Sequence, residues 1–383
     1  MAAEHRPIHS PLGASSAERW MSCPGSVALI KELTLPETDE PEYRGLGTAA
    51  HEAGAKCLKE GLDAWELVGQ KFHDFVVDVE MADAIQVYLD KVRPAMALPD
   101  AKVYVEYSIS RPEHEKFYGT VDCGVVYQGY MEVTDYKHGQ GIVVEVENNP
   151  QLLYYAFGFL REHPDVQDVL LRIVQPRTFS EPVKEWTVKA DFIRKWAEEK
   201  LLPAMHLTEM DGAELDAGSW CRFCPAKLVC PLMTALFGAA CTANPKSVVE
   251  LTNASLGRSY QYKQAVTFYM KALDEEIFRR LNTGTKVPRC KLVPKKANRV
   301  FKDGASEVFK EKFGDDAMSK PELKSPAEMA KIGPAAAELV KEYAYTPQTG
   351  LTVATDDDNR VEVKVQTTEQ AFGGAIRTMR DKI

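Results

Sequence analysis

No stretch of this 383-residue chain is apolar for long enough to cross a bilayer as a helix, since its longest apolar runs, such as residues 151–160, are short and broken by polar groups. Residues 1–10 lack the apolar centre of a signal peptide. A cytoplasmic protein without a membrane partner is expected. Positive charge is in deficit: 47 Lys and Arg face 56 Asp and Glu, for a net charge of -9. That balance argues against a protein that coats nucleic acid nonspecifically, although an average conceals local fields. Cysteine is sparse, eight in the whole chain, which is no small disulfide scaffold. Three of the eight crowd between Cys221 and Cys230, a spacing that favours a metal site in a reducing compartment over disulfides. Internal repeats, low-complexity tracts and a base-reading motif such as helix-turn-helix are also missing.

What is present is enough apolar material, 45% of residues, for one large core or two ordinary ones, and the length suggests two or three domains. Residues 14–30 and 47–58 read as helical, the first after the capping residues Ser15 and Ser16, the second opening at Gly47 and Thr48. Residues 103–109 alternate, and 119–127 and 130–137 are strand-like runs separated by Gln128-Gly129, an antiparallel hairpin. A further strand is expected at 142–147, an amphipathic helix at 149–161 beginning near Pro150, and a nearly continuous apolar, buried strand at 169–174. Residues 192–210 and 248–281 read as helices, and the tail from 304 onward as polar with a helix near 325–343. Strands interleaved with helices indicate an α/β core.

Two groups of residues carry chemistry. Gly119-Thr-Val-Asp122 lies on the first hairpin strand and Asp135-Tyr-Lys137 closes the second. Side chains alternate across a strand, so Asp135 and Lys137 share a face, and a hairpin brings Asp122 to them. Such hard oxygens suit Mg²⁺ or Mn²⁺, while the lysine can orient or deprotonate a water and offset phosphate charge. An Asp-x-Lys triplet alone is ordinarily a polar strand edge. Here Gln151 and Tyr155 follow, four apart on one helical face, and His51-Glu52 precedes, near the start of a helix. In the second group, Cys221, Cys224 and Cys230 lie within ten residues, and Cys23-Pro24 repeats far upstream the Cys-Pro step seen at Cys224 and Cys230. Four thiolates are compatible with a [4Fe-4S] cluster or with structural zinc. Cys57, Cys123, Cys241 and Cys290 have no motif context and read as buried small residues. A third feature, residues 286–302, has seven basic residues and no acidic one. It is either a solvated surface run or a phosphate-contacting segment in which Lys291, Lys295, Lys296 and Arg299 bind DNA.

Taken in order, His51, Asp122, Asp135, Lys137, Gln151 and Tyr155 resemble the RecB-like branch of the PD-(D/E)XK nucleases. The resemblance implies a restriction-endonuclease-like core, a central mixed sheet flanked by helices. It implies metal binding by His51, Asp122 and Asp135 with the carbonyl of Tyr136, catalysis assisted by Lys137, and DNA positioning by Gln151 and Tyr155. Glu52 and Glu106 are possible auxiliaries with no match. One cysteine before the core and three after it are similar to the iron–sulfur subset, which includes AddB and the CRISPR-adaptation nucleases, and imply a [4Fe-4S] cluster on Cys23, Cys221, Cys224 and Cys230. The layout is similar to phage-borne members. The expectation is an Mg²⁺- or Mn²⁺-dependent DNA exonuclease of phage replication or recombination, working beside proteins such as a single-strand-binding protein. The competing expectations are a catalytically silent DNA-binding scaffold and a zinc-stabilised adaptor. Residues 1–240 would form the nuclease domain, 241–310 a helical and basic DNA-contacting segment, and 311–383 a mainly helical accessory region.

Overall fold

The computed structural model describes residues 10–33, 42–242 and 251–291. In chain order the helices and strands are α1 (Ala17–Ser22), α2 (Gly25–Glu32), α3 (Glu42–Glu60), a short hairpin of β1 (Lys71–Phe72) and β2 (Phe75–Val76), and α4 (Val79–Met96). There follow β3 (Lys102–Arg111), β4 (His114–Tyr127), β5 (Tyr130–Tyr136), α5 (Pro150–Glu162), β6 (Asp168–Val174) and β7 (Val183–Lys189). The chain continues through α6 (Ala190–Trp196), a π-helical turn (Ala197–Leu201), α7 (Leu202–Leu207), α8 (Pro231–Thr242) and α9 (Asn253–Asn282). The elements from α1 to α8 fall in one compact unit.

The protein is α/β. Strands β3 to β7 form one five-stranded mixed sheet in sequential order, antiparallel except for the parallel β5–β6 pair. The crossover between those parallel strands is α5, whose apolar residues Leu152, Leu153, Phe159 and Leu160 are buried against Val133, Val169 and Leu171 of the sheet. Helices α3 and α4 cover the other face, where Ala53, Ile85 and Leu89 meet Cys123, Val125 and Val174. Helices on both faces explain why β6 is nearly continuous in apolar residues.

Two glycines let α5 approach the sheet closely. A β-carbon on Gly124 would stand 2.6 Å from Phe159, and one on Gly158 would stand 2.5 Å from Ile109. The start of α5 is fixed as tightly. Asn149 caps it, its side chain accepting from the backbone N–H groups of Gln151 and Leu152, and Pro150 fills the first turn, where its missing N–H costs nothing. Gln151 is thereby set in the first turn, above the C-terminal end of β5.

Three expectations are corrected. Residues 14–30 are a 3-10 turn and two helices, because α1 ends at Ser22 and α2 restarts after Cys23 and Pro24. Pro24 has no N–H to continue a helix through that point. Residues 142–147 form no strand. The side chain of Gln175 takes the place of a neighbouring strand, donating to the carbonyls of Gly139 and Ile142 and accepting from the N–H of Val144. The even alternation of 103–109 breaks at Glu106, whose φ is +50°. Val105 packs on the α4 side, whereas Tyr104 and Tyr107 both pack on the α5 side. The helix expected near 325–343 and the 311–383 region lie outside the described residues.

Candidate active site and cysteine site

Asp122 lies on β4 next to Cys123, which pairs with Thr134, so the antiparallel register brings Asp122 opposite Asp135. Asp122 is held from two sides: Oδ2 accepts from the Tyr136 backbone N–H at 2.7 Å, and Oδ1 lies 3.4 Å from Nδ1 of His51. His51 comes from α3, across the opposite layer, and its ring meets the Tyr136 ring edge-on at 5.5 Å. Burial alone would lower the His51 pKa, but the Asp122 carboxylate, with help from Asp135, raises it to about 9.

Asp135 is 2% exposed. Burial pushes its pKa up, Lys137 pulls it down, and neighbouring Asp122 adds to the rise. Lys137 Nζ stands 2.8 Å from Asp135 Oδ2 and donates to Gln151 Oε1 at 2.9 Å. Gln151 Nε2 in turn donates to Asp135 Oδ1 at 2.8 Å and to the Tyr155 hydroxyl at 3.2 Å. Gln151 therefore clasps the Asp135–Lys137 pair from α5, and Tyr155, one turn later, supports Gln151. Asp135 Oδ2 is buried, and the polar group beside it among the described residues is the Lys137 ammonium, which leaves a lone pair of the carboxylate open. A buried carboxylate oxygen with a lone pair open is what a hard cation would fill.

The structure thus brings together His51, Asp122, Asp135, Lys137, Gln151 and Tyr155, with the backbone of Tyr136 between them. It also adds Glu106 to the cluster. Glu106 sits opposite Asp122, between the paired positions Val105–Cys123 and Tyr107–Val121. Among the described residues, one set of three or more potential ligand atoms lies within 4.8 Å of one another, and it is His51, Glu106 and Asp122. Asp135 falls outside that set. Burial and the charge of Asp122 raise Glu106 to about 7. A left-handed glutamate within a strand, next to two other ionisable groups, is the kind of backbone strain that collects at functional sites. Glu52 lies outside that set, with its carboxylate 2.7 Å from Nε2 of His73. A cavity of about 580 Å³ opens beside this cluster, lined by His51, Phe72, the lysines Lys56 and Lys59, and the glutamates Glu52, Glu60 and Glu106.

The cysteines fall into separate groups. Cys23 follows α1, Cys221 lies in a 3-10 turn (Ser219–Phe223), and Cys224 and Cys230 follow before α8. All four are buried, unpaired and line one narrow cavity. Burial raises the Cys23, Cys221 and Cys224 thiols, Cys221 to about 11, and their mutual proximity adds to the rise. No three of these sulfurs lie within 4.8 Å of one another. A tetrahedral zinc, with Zn–S of about 2.3 Å, would hold them at roughly 3.8 Å. The Asp216 backbone N–H donates to Cys23 Sγ at 3.3 Å. Cys57 and Cys123 are buried as expected, whereas Cys241 and Cys290 are exposed. The exposed pair lies outside both apolar layers, Cys241 near the end of α8 and Cys290 beyond α9. Lys291 is exposed, and Lys295, Lys296 and Arg299 lie outside the described residues. Among the described residues no helix is long and apolar enough to cross a membrane.

Fold and site together define an α/β protein with a histidine–carboxylate–lysine cluster on its mixed sheet and α3, and with four cysteines outside the sheet that line one cavity. A family profile described as "Protein of unknown function (DUF2800)" matches residues 9–361, and the chain belongs to that family. Among solved structures, one described as "Crystal structure of SSO0001" is similar at 12% identity over 61% of this chain and 89% of that one. The TM-score of that pair is 0.25.

Proposed function

We propose that this protein is a metal-dependent DNA nuclease of the RecB-like PD-(D/E)XK type, an exonuclease of phage DNA replication or recombination. The observation that carries the proposal is the convergence of Asp122, Asp135 and Lys137 under Gln151, with Asp135 buried and its Oδ2 paired with the Lys137 ammonium at 2.8 Å. The oxygens of Asp122 and Asp135, with His51 beside them, fit a hard divalent cation, Mg²⁺ or Mn²⁺. His51, Asp122 and Asp135 would hold it, with Glu106 and the Tyr136 carbonyl completing the set. The cation would supply Lewis-acid polarisation of a phosphodiester and a more acidic water.

The chain's own groups do the rest. Lys137, held at one end of its reach by Asp135 and Gln151, presents its ammonium to the attacking water and to the charge that builds on the phosphoryl oxygens. Gln151 keeps both partners in place, and Tyr155 keeps Gln151 in place. The neighbouring cavity offers Lys56 and Lys59 to phosphates of the strand and Phe72 to a base.

The four buried cysteines fit a [4Fe-4S] cluster, which would tie the front of the domain to its back and serve stability, not chemistry. What supports that reading is the lining of one cavity by Cys23, Cys221, Cys224 and Cys230. The test of the main reading is a cleavage assay: protein purified anaerobically is offered end-labelled linear, circular and single-stranded DNA with Mg²⁺ or Mn²⁺. Release of nucleotides from ends is expected, and no cleavage of any of the three would overturn the proposal.

A further inference from the structure

Arg19 lies on α1, and the backbone N–H of Cys23, the residue that ends that helix, donates to the Arg19 carbonyl. Its side chain lines the narrow cavity that the four cysteines share. Nη1 donates to Ser26 Oγ at 2.9 Å, and Ser26 is 2% exposed. Among the described residues no carboxylate forms an ion pair with Arg19. A guanidinium drawn away from water without an opposite charge is costly, and proteins ordinarily supply that charge nearby. The groups that surround Arg19 here are thiols: burial lowers its pKa, and Cys224 and Cys23 act in the opposite direction.

The other charged groups of the cavity are already engaged. Lys227 Nζ donates to the Arg222 carbonyl at 2.9 Å. Asp216 turns its carboxylate to the Ala217 N–H at 2.8 Å, while its own N–H donates to Cys23 Sγ. Four thiolates around a divalent ion or a doubly positive cluster core leave two negative charges in a low-dielectric setting. Arg19 and Lys227 are the cations that line that setting.

We propose that Arg19, fixed by Ser26, is the counter-charge of the four-cysteine site and sets how tightly that site keeps its metal. The inference rests on the reading that Cys23, Cys221, Cys224 and Cys230 hold a metal centre. Arg19 is a positioning residue: it ligates nothing and acts through the charge of the sulfurs. Charge, not shape, is the property that matters, so lysine should substitute for it and glutamine should not.

The test uses the full chain, purified anaerobically, in two forms. Metal-free protein is titrated with Co²⁺ against a competing chelator, the sulfur-to-cobalt charge-transfer band reporting thiolate ligation. Protein as purified is assayed for iron and sulfide, and for the rate at which a chelator removes them. Arg19→Gln should bind Co²⁺ about 10- to 100-fold more weakly, the range typical for partners of metal ligands. Its saturated band should match the wild type, because all four ligands remain. Arg19→Lys should stay within a few-fold of the wild type. Ser26→Ala, which removes only the hydroxyl that orients the guanidinium, should fall between and guards against a folding defect in Arg19→Gln. Wild-type affinity and retention in Arg19→Gln would overturn the proposal, as would equal losses in Arg19→Lys and Arg19→Gln. Absence of any thiolate band, iron or sulfide in the wild type would instead overturn the four-cysteine site itself.

Discussion

Asp135→Asn should make the metal-free protein more stable and remove most of its response to divalent cations. The first half follows from the setting: Asp135 is 2% exposed, faces Asp122 across the β4–β5 pair, and has a pKa held up by burial first, against the pull of Lys137. A raised pKa means that the fold disfavours the carboxylate relative to water, so an uncharged amide relieves a cost. Asparagine can still accept the Gln151 Nε2 hydrogen bond through its carbonyl oxygen, while the Lys137 ammonium, a quarter exposed and still bonded to Gln151 Oε1, turns from the new amide nitrogen toward solvent. The second half follows from linkage. A cation that binds the folded state alone stabilises it by RT ln(1 + [L]/Kd), about 1.4 kcal/mol for 10 mM Mg²⁺ if Kd is on the order of 1 mM. That amounts to a rise of a few degrees in Tm for a domain of this size. The assay is thermal unfolding of both proteins in a chelator, in Mg²⁺ and in Mn²⁺. The wild type should gain those degrees, whereas Asp135→Asn should start higher and gain less than half as much. A full cation response in Asp135→Asn would remove Asp135 from the proposed metal site and refute the reasoning.

Arg172 supports a second experiment. Its side chain is nearly buried in β6 and bonds Glu132 at 2.8 Å and Glu185 at 2.7 Å, and Glu132 is 8% exposed. Arg172→Met should cost about 3–5 kcal/mol by stranding the Glu132 charge, and adding Glu132→Leu should recover most of it. Urea unfolding measures both, and equal destabilisation of single and double variants would contradict the account. The basic segment 286–302 provides a third: if about four of its charges meet phosphates, the salt slope of DNA affinity is near -3 to -4. Replacing Lys291, Lys295 and Lys296 by Glu should weaken binding to all sequences alike. An unchanged affinity and slope would leave the segment as solvated surface.

The parts of the site that follow from local periodicity were legible in advance. Asp135 and Lys137 share a face because strands alternate, Gln151 and Tyr155 share one because helices repeat near four, and Asn149-Pro150 announces the start of α5. What escaped depends on partners distant in sequence or on backbone that departs from its pattern. Glu106 sits in a run that alternates on paper, and only its left-handed backbone turns the strand at that point. Residues 142–147 have strand composition but meet the Gln175 side chain in place of a strand. Helix α4, with Pro94 inside it, and strand β7, which alternates weakly, went unread. Arg172 within an apolar strand reveals its role only when Glu132 and Glu185 arrive on either side. The gathering of Cys23 with Cys221, Cys224 and Cys230 was expected from resemblance, whereas the part of Arg19 beside them had no signal in spacing alone.

The central claim is that Asp122, Asp135 and Lys137 cut phosphodiester bonds, and the most direct test compares wild type with Lys137→Ala on end-labelled DNA in Mg²⁺ or Mn²⁺. The Lys137 side chain is partly exposed and pairs with Asp135 and Gln151, and once it is truncated the buried Asp135, whose pKa burial and Asp122 already raise, can take up a proton, so the fold and DNA binding should stay largely intact. The account predicts cleavage by the wild type and a loss of roughly a hundredfold or more in the variant. Near-normal cleavage by Lys137→Ala, or none by the wild type with either metal, would contradict it.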